Sequence, residues 1–306
     1  MLVLVLVGIV VGTVHGAGVG QKQIDPAALR AVRWQLALER EGFSPGLIDG
    51  CLAGKTTLAI KEFQRARGLA ITGKLDEATG SALRINEVEP LTNYTVRPED
   101  LKQVTGSPGT WVEKSKKRYL GYRSLTDALA EKHHCTQGLL MRLNRGKNLA
   151  RLRAGDTIRV PRTLPPRWSR AKQLEVNLGQ RVIRAFDEQK HLVGMFHCSI
   201  AAQVSKRPGG QTRIVVVAEN PSYTFDPRKW PEVKGVEKKL LIPPGPRNPV
   251  GLCWIGLGLP GYGIHGTPNP ELIGKTGSHG CLRLSNWDAK RLGRMVRVGT
   301  PVKFVG

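Results

Sequence analysis

A histidine and a cysteine sixteen positions apart, each set among glycines, are the chain's clearest chemical constellation. The runs are Tyr262-Gly-Ile-His-Gly-Thr267 and Gly277-Ser-His-Gly-Cys-Leu-Arg-Leu284. A thiol attacks as its thiolate, and an imidazole within reach raises the thiolate fraction at neutral pH. The pair therefore predicts an activated nucleophile at Cys281. Gly266, Gly277 and Gly280 allow sharp turns and close approach of backbone to a substrate. Two imidazoles compete for the base role. His265 lies in the first run, while His279 lies two residues before Cys281, and residues two apart in extended chain point the same way. Arg283, two residues after Cys281, shares that face by the same rule. Its guanidinium suits a bidentate grip on a carboxylate.

The elements that must hold these residues are β-rich. Leu174–Leu178, Arg181–Phe186, His191–Phe196 and Arg213–Ala218 are short apolar runs separated by turns such as Asp187–Lys190 and Pro208–Gly210. Strands at this spacing predict a sandwich or barrel rather than a parallel α/β sheet. One helix, Trp287–Met295, follows a cap at Ser285 or Asn286, and Pro301–Val305 reads as the last strand. The stiff run Pro243–Pro249 suits either a cover over the cleft or a plain structural turn.

Upstream the character changes. Ala27 to Ile85 has helical spacing in Leu29, Val32, Trp34, Leu36 and Leu38, then a turn over Gly42–Gly50. Thr56 and Thr57 are expected to cap a second helix that turns Leu58, Ala59, Ile60 and Phe63 inward, and Leu75–Leu83 a short third one. A second block, Tyr94 to Pro161, reads as strand, two helices and strand, with Gly155-Asp156 turning into the last strand. Its basic run Lys114–Arg118 is expected to be a solvated loop. Leu164-Pro-Pro-Arg167 is a linker.

Composition bounds the partners. Lys and Arg total 47 against 24 Asp and Glu, a net charge of +23. Such a chain seeks a polyanion: nucleic acid, an anionic membrane surface or an acidic wall polymer. No zinc-finger spacing, RNA-recognition signature or clear helix-turn-helix supports nucleic acid, so none is expected as a partner. Met1–Val14 is almost wholly apolar and ends in small residues, too short for a comfortable membrane span. Export to the periplasm or cell envelope is expected. No Lys or Arg precedes the run, and an uncleaved, transient membrane anchor fits as well as a cleaved signal peptide. Cys51, Cys135, Cys198 and Cys253 are dispersed without metal-ligand spacing, and Cys198 with Cys253 is a possible bridge. The chemistry needs no metal and no cofactor, and oligomeric state is not legible.

Three resemblances then become specific. Leu47-Ile-Asp-Gly50, Ala59-Ile-Lys-Glu-Phe-Gln-Arg65, Gly68-Leu and Thr72-Gly-Lys-Leu-Asp76 resemble the three-helix peptidoglycan-binding domain of bacterial wall enzymes. Leu152-Arg-Ala-Gly-Asp-Thr-Ile-Arg-Val-Pro161 resembles the end of a LysM domain, which binds N-acetylglucosamine-containing glycans, although the middle is long for that fold. Ile264-His-Gly-Thr267 with Ser278-His-Gly-Cys-Leu-Arg-Leu284 is similar to the signature of L,D-transpeptidases of the YkuD fold. Asn220-Pro-Ser-Tyr223, Ile242–Gly251 and Trp254-Ile-Gly-Leu257 resemble segments flanking that site. The expected architecture is multidomain α+β. It has a signal peptide or anchor at 1–20, a three-helix peptidoglycan-binding domain at 24–86, a LysM-like βααβ module at 92–162, and a mainly-β YkuD-type catalytic domain at 170–306.

The resemblance implies roles. Cys281 is the nucleophile, His265 its base, and the Gly266 carbonyl orients the imidazole. The backbone N–H groups of Cys281 and Gly280 form an oxyanion hole, His279 supports, Arg283 grips a carboxylate, and Ser278 and Tyr262 line the substrate side. The implied donor is a tetrapeptide stem of peptidoglycan. Cys281 attacks the carbonyl of the L-centre of diaminopimelate, D-Ala leaves, and a second stem resolves the thioester as a 3–3 cross-link. Water as acceptor makes an L,D-carboxypeptidase; a protein lysine tethers a protein to the wall. Thiol peptidases of the NlpC/P60 or papain type place Cys before His, the reverse of the order here. A non-catalytic wall anchor does not need Cys281, His265 and Arg283 together.

Overall fold

The computed structural model describes residues 24–106, 108–167, 169–230, 233–275, 277 and 280–306. The apolar run 1–14 and its exit lie outside them. No helix of the described residues is long and apolar enough to cross a membrane.

The first 60 or so described residues form three helices: α1 (Pro26–Arg40), α2 (Gly54–Ala66) and α3 (Glu77–Ala82). Asp25 caps α1 by accepting from the Ala27 N–H, with Pro26 at the first helical position, where a missing N–H costs nothing. Asp76 caps α3. Thr56 and Thr57, expected as caps, lie instead inside α2, which begins at Gly54 after Ala53 with no side-chain cap. The Thr56 hydroxyl is engaged elsewhere, accepting from Gln35 Nε2 at 3.2 Å.

The middle block opens on β1 (Leu91–Thr95) and closes on β2 (Thr157–Pro161), paired antiparallel from Leu91↔Pro161 to Thr95↔Thr157. Between them lie α4 (Pro98–Lys102), α5 (Trp111–Ser115), α6 (Leu125–Lys132) and α7 (Gln137–Leu143). Among the described residues four α-helices thus stand between the paired strands where the sequence predicts two. The extra length is α4, α5 and the chain to Arg123. Lys114 is not in a solvated loop. It is half-buried on α5, its Nζ 4.8 Å from the centre of the Trp111 ring, whereas Lys116, Lys117 and Arg118 are exposed.

From Gln173 the chain builds one continuous eight-stranded mixed sheet. Its strands are β3 (Gln173–Asn177), β4 (Val182–Phe186), β5 (Leu192–His197), β6 (Gln211–Glu219), β9 (Cys253–Leu257), β10 (Gly263–His265), β11 (Leu282–Arg283) and β12 (Pro301–Val305). β7 (Tyr223–Phe225) and β8 (Leu240–Ile242) form a separate hairpin. Across the main sheet the order is β11-β10-β9-β6-β12-β3-β4-β5, with β10/β11 and β12/β3 parallel. The parallel β12 is inserted centrally because α8 (Asn286–Met295) carries the chain back across the sheet. Ser285 caps α8, and its Ala289, Leu292 and Met295 enter a core with Leu174, Val176, Ile183, Phe196, Ile255, Ile264 and Leu282.

The proline-rich linker does not separate independent beads. Leu36, Phe43 and Ile48 of the first block share one core with Leu129, Leu139 and Ile158 of the second and with Val182, Leu192 and Met195 of the sheet. Main-chain bonds cross the junctions: Ser44 N–H donates to the Met195 carbonyl at 2.9 Å, and Ile48 N–H to that of His134 at 2.9 Å. Polar pairs seal them, including Arg184 with Glu62 at 2.8 Å and Ser44 Oγ with Asp288 at 2.8 Å.

Candidate active site

β10 and β11 bring the two sequence runs together. They pair in parallel as Ile264↔Leu282 and His265↔Arg283, which sets Cys281, just before β11, level with Gly263. Side chains alternate faces along a strand, so Ile264 and Leu282 enter the core while Cys281, His265 and Arg283 share the other face. β11 has only two residues and is pinned from both sides. Ser199 N–H donates to the Arg283 carbonyl at 2.9 Å, Arg283 N–H to that of Ser199 at 3.0 Å, and Leu284 N–H to that of His265 at 2.8 Å.

His265 is buried. Its Nδ1 lies 2.6 Å from the Gly266 carbonyl oxygen. A carbonyl only accepts, so Nδ1 carries the proton. Burial pushes the imidazole pKa down to about 4 against a raising effect of that carbonyl, with the Arg283 charge lowering it further. The ring is therefore neutral at pH 7 and Nε2 holds a lone pair. Trp254, its partner across β9, stacks on the ring with centroids 5.6 Å apart.

Cys281 is half-buried, and its Sγ lies 3.5 Å from the Gly261 carbonyl. Burial raises the thiol pKa; the Gly263 N–H and the Arg283 charge pull it down without offsetting burial. The sequence predicts an activated nucleophile and leaves its resting protonation open. With the thiol raised and the imidazole lowered, both groups rest neutral, and the proton moves only when a substrate is attacked.

Arg283 is itself half-buried, and burial lowers its pKa, opposed by the Cys281 charge. One guanidinium nitrogen donates to the Gly277 carbonyl. Its Nε is buried and has no hydrogen-bond partner among the described residues. The Tyr262 hydroxyl donates to the Lys206 carbonyl at 3.1 Å, and its ring faces Gly280, where an added Cβ would lie 3.3 Å from it. Ser278 and His279 lie outside the described residues.

Asn286, weighed in the sequence only as a helix cap, is a hub behind His265. Its Oδ1 accepts from Leu252 N–H at 3.0 Å, and its Nδ2 donates to Glu131 Oε1 at 2.8 Å and to the Pro246 carbonyl at 3.2 Å. It fits so closely that a Cβ on Gly266 would lie 2.2 Å from Oδ1, leaving glycine the only residue that fits there. Arg247 of the proline-rich run pairs with Asp127 and donates to the Pro268 carbonyl, tying the segment after Gly266 to α6. That run is thus a packed turn whose Arg247 and Asn248 are buried. Cys198 and Cys253 are buried thiols rather than a bridge, each pushed up to about 12 by burial. Among the described residues no cluster of His, Cys, Asp or Glu has the makings of a metal site.

A family model for the YkuD L,D-transpeptidase catalytic domain matches residues 171–304, and one for a putative peptidoglycan-binding domain matches residues 31–83. The putative L,D-transpeptidase YkuD of Bacillus licheniformis is 29% identical over 183 residues, covering 58% of this chain and 92% of that protein. The probable L,D-transpeptidase ErfK/SrfK of Escherichia coli is 30% identical over 174 residues, covering 55% of this chain and 56% of its own length. The chain thus spans nearly all of the first relative but little more than half of the second. A crystallised L,D-transpeptidase fragment from Xylanimonas cellulosilytica aligns over 90% of this chain and 92% of its own at 15% identity, with a TM-score of 0.37.

Proposed function

Because the chain carries the catalytic domain of the YkuD L,D-transpeptidases behind a peptidoglycan-binding domain, we propose that it cross-links peptidoglycan stems through a thioester on Cys281. The observation that carries this is the His265–Gly266 contact. It parks the proton on Nδ1 and leaves Nε2 as a base on the face shared with Cys281 and Arg283. Here the backbone carbonyl takes the orienting role that a carboxylate plays in serine proteases.

The steps close without a cofactor. As Cys281 Sγ bonds to the carbonyl carbon of the diaminopimelate L-centre, its proton passes to His265 Nε2. The resulting oxyanion is met by the N–H groups of Cys281 and Gly280, each such donor typically contributing about 2.7–4 kcal/mol. Collapse breaks the bond to D-Ala, whose amine leaves with the proton from His265, and a thioester remains. The amine of a second stem attacks, gives its proton to His265 and displaces the sulfur, which takes that proton from His265 and returns to the thiol. Arg283 Nε, buried and without a partner among the described residues, supports a grip on the stem's carboxylate, since a buried guanidinium N–H is costly to leave unpaired. His279 and Ser278 are assigned supporting and substrate-lining roles from their place in the motif.

The β1–α6–α7–β2 order supports reading 92–162 as a LysM-like glycan-binding module. The apolar run at residues 1–14 supports export to the cell envelope. Water in place of the second stem gives the L,D-carboxypeptidase reaction, and a protein lysine gives attachment to the wall. Incubation with purified tetrapeptide muropeptides followed by mass spectrometry separates these products. Cys281→Ala is expected to lose D-Ala release while retaining binding to isolated sacculi; undiminished release by that variant sinks the reading.

A further inference from the structure

The β7–β8 hairpin stands outside the eight-stranded sheet. Two strands of three residues each are marginal alone in water. What holds them is a separate apolar cluster in which Phe225 and Ile242 are buried against Leu120, with Trp111, Tyr223 and Trp230 around them. Trp111 and Leu120 belong to the middle module, not to the catalytic domain. The Trp111 ring stacks on Phe225 with centroids 4.1 Å apart and planes at 18°, and it lies 6.2 Å from the Tyr223 ring. Leu120 N–H donates to the Pro244 carbonyl at 2.8 Å, and the Leu120 carbonyl accepts from Arg247 N–H at 3.0 Å. At that crossing Gly245 has φ +136°, and an added Cβ would lie 2.3 Å from the Leu120 carbonyl oxygen. Only glycine lets the two segments pass.

The hairpin rises at the site's end of the sheet. β6 ends with Ala218↔Trp254 and Glu219↔Cys253, and Trp254 pairs in turn with His265. Tyr223, the first residue of β7, follows four residues after Glu219. Burial raises its phenol pKa, a hydrogen bond with Trp230 lowers it, and a charge on Cys281 raises it.

We infer that residues 108–123 brace the β7–β8 hairpin beside the thiol, with Trp111 the positioning residue that sets Tyr223 as a wall of the stem-peptide cleft. The inference rests on the reading of Cys281 as the acylated thiol. It gives the long middle of the second module a purpose: the block that would hold glycan also shapes the place where the stem is cut.

The test uses the full chain and three variants, Trp111→Ala, Trp111→Leu and Trp111→Phe. In Trp111→Ala, hydrogen exchange at 223–225 and 240–242 is expected to quicken about tenfold or more while β9 and β10 keep their protection. Alkylation of Cys281 by iodoacetamide, followed on its own peptide, is expected to rise about threefold as the wall loosens. KM for a tetrapeptide muropeptide is expected to rise about fivefold or more with kcat nearly unchanged, the pattern of lost positioning rather than lost chemistry. Trp111→Phe, which keeps a stacking ring, restores all three. Should Trp111→Ala fail to fold, Trp111→Leu retains apolar volume without the stack and is held to the same outcomes. Wild-type KM and alkylation rate in the folded variant overturn the brace, and so does loosening of β9 and β10 as great as that of the hairpin. If the wild type turns over no muropeptide, the transpeptidase reading fails, while exchange and alkylation still decide the brace.

Discussion

A buried histidine serves as a base only if its proton sits on the nitrogen that faces away from the nucleophile. Gly266 settles this for His265, and burial keeps the ring neutral by holding its pKa at about 4. The sign of the pH dependence follows. A base must be unprotonated, so with the pKa depressed from 6.5 the activity persists as pH falls through 6 and is lost only near 4. In a profile of kcat/KM the acidic limb is expected near pH 4; a limb near 6.5 contradicts a buried, neutral His265. The candidate residues themselves were legible, because Cys281, His265, Gly266 and Arg283 are marked by type and spacing. Their resting protonation was not. Proximity of an imidazole argues for a thiolate, and only burial, invisible in the run of residues, decides that both groups rest neutral.

Short strands owe their positions to what lies behind them. β10 and β11 together hold five residues, and Asn286 at the start of α8 joins the turn behind His265 to Glu131 of α6 and to the proline-rich run. Asn286→Ala strands the Leu252 N–H and the Pro246 carbonyl and leaves Glu131 Oε1 with the Tyr122 hydroxyl as its donor. An orphaned buried group costs about 1–3 kcal/mol, so a loss of about 2–4 kcal/mol is expected in urea unfolding. An unchanged midpoint and slope contradict that hub. Helix ends divide along the same line. Ser285 caps α8 as its side chain suggests. Thr56 does not cap α2, because Gln35 uses its hydroxyl. α5 went unread although its capping box, Thr110 with Glu113, is local. The neighbouring lysines suggested solvent, and the ring on which Trp111 stacks lies 114 positions away at Phe225.

At the scale of the molecule, three blocks marked by composition and motif fold around shared apolar interiors. Periodicity identified the helices and strands, but it carries no information about which blocks dock. Phe43 and Met195 are in register across the junction of the first block with the catalytic domain, and Arg291 donates to the Glu39 carbonyl at 2.8 Å across the same junction. With interiors held in common, thermal unfolding of the full chain is expected as a single transition with equal calorimetric and van't Hoff enthalpies. Well-separated transitions for the blocks contradict a shared core. Docking also fixes where the first block, which the peptidoglycan-binding family model matches, stands relative to the thiol.

The central claim is that Cys281 carries the stem as a thioester. Intact-mass analysis of the full chain mixed with a tetrapeptide muropeptide, quenched in acid, tests it most directly. An adduct equal to the muropeptide less its terminal D-Ala is expected, mapped to Cys281 and absent from Cys281→Ala. D-Ala release that proceeds without an adduct on Cys281 and survives in Cys281→Ala would contradict it.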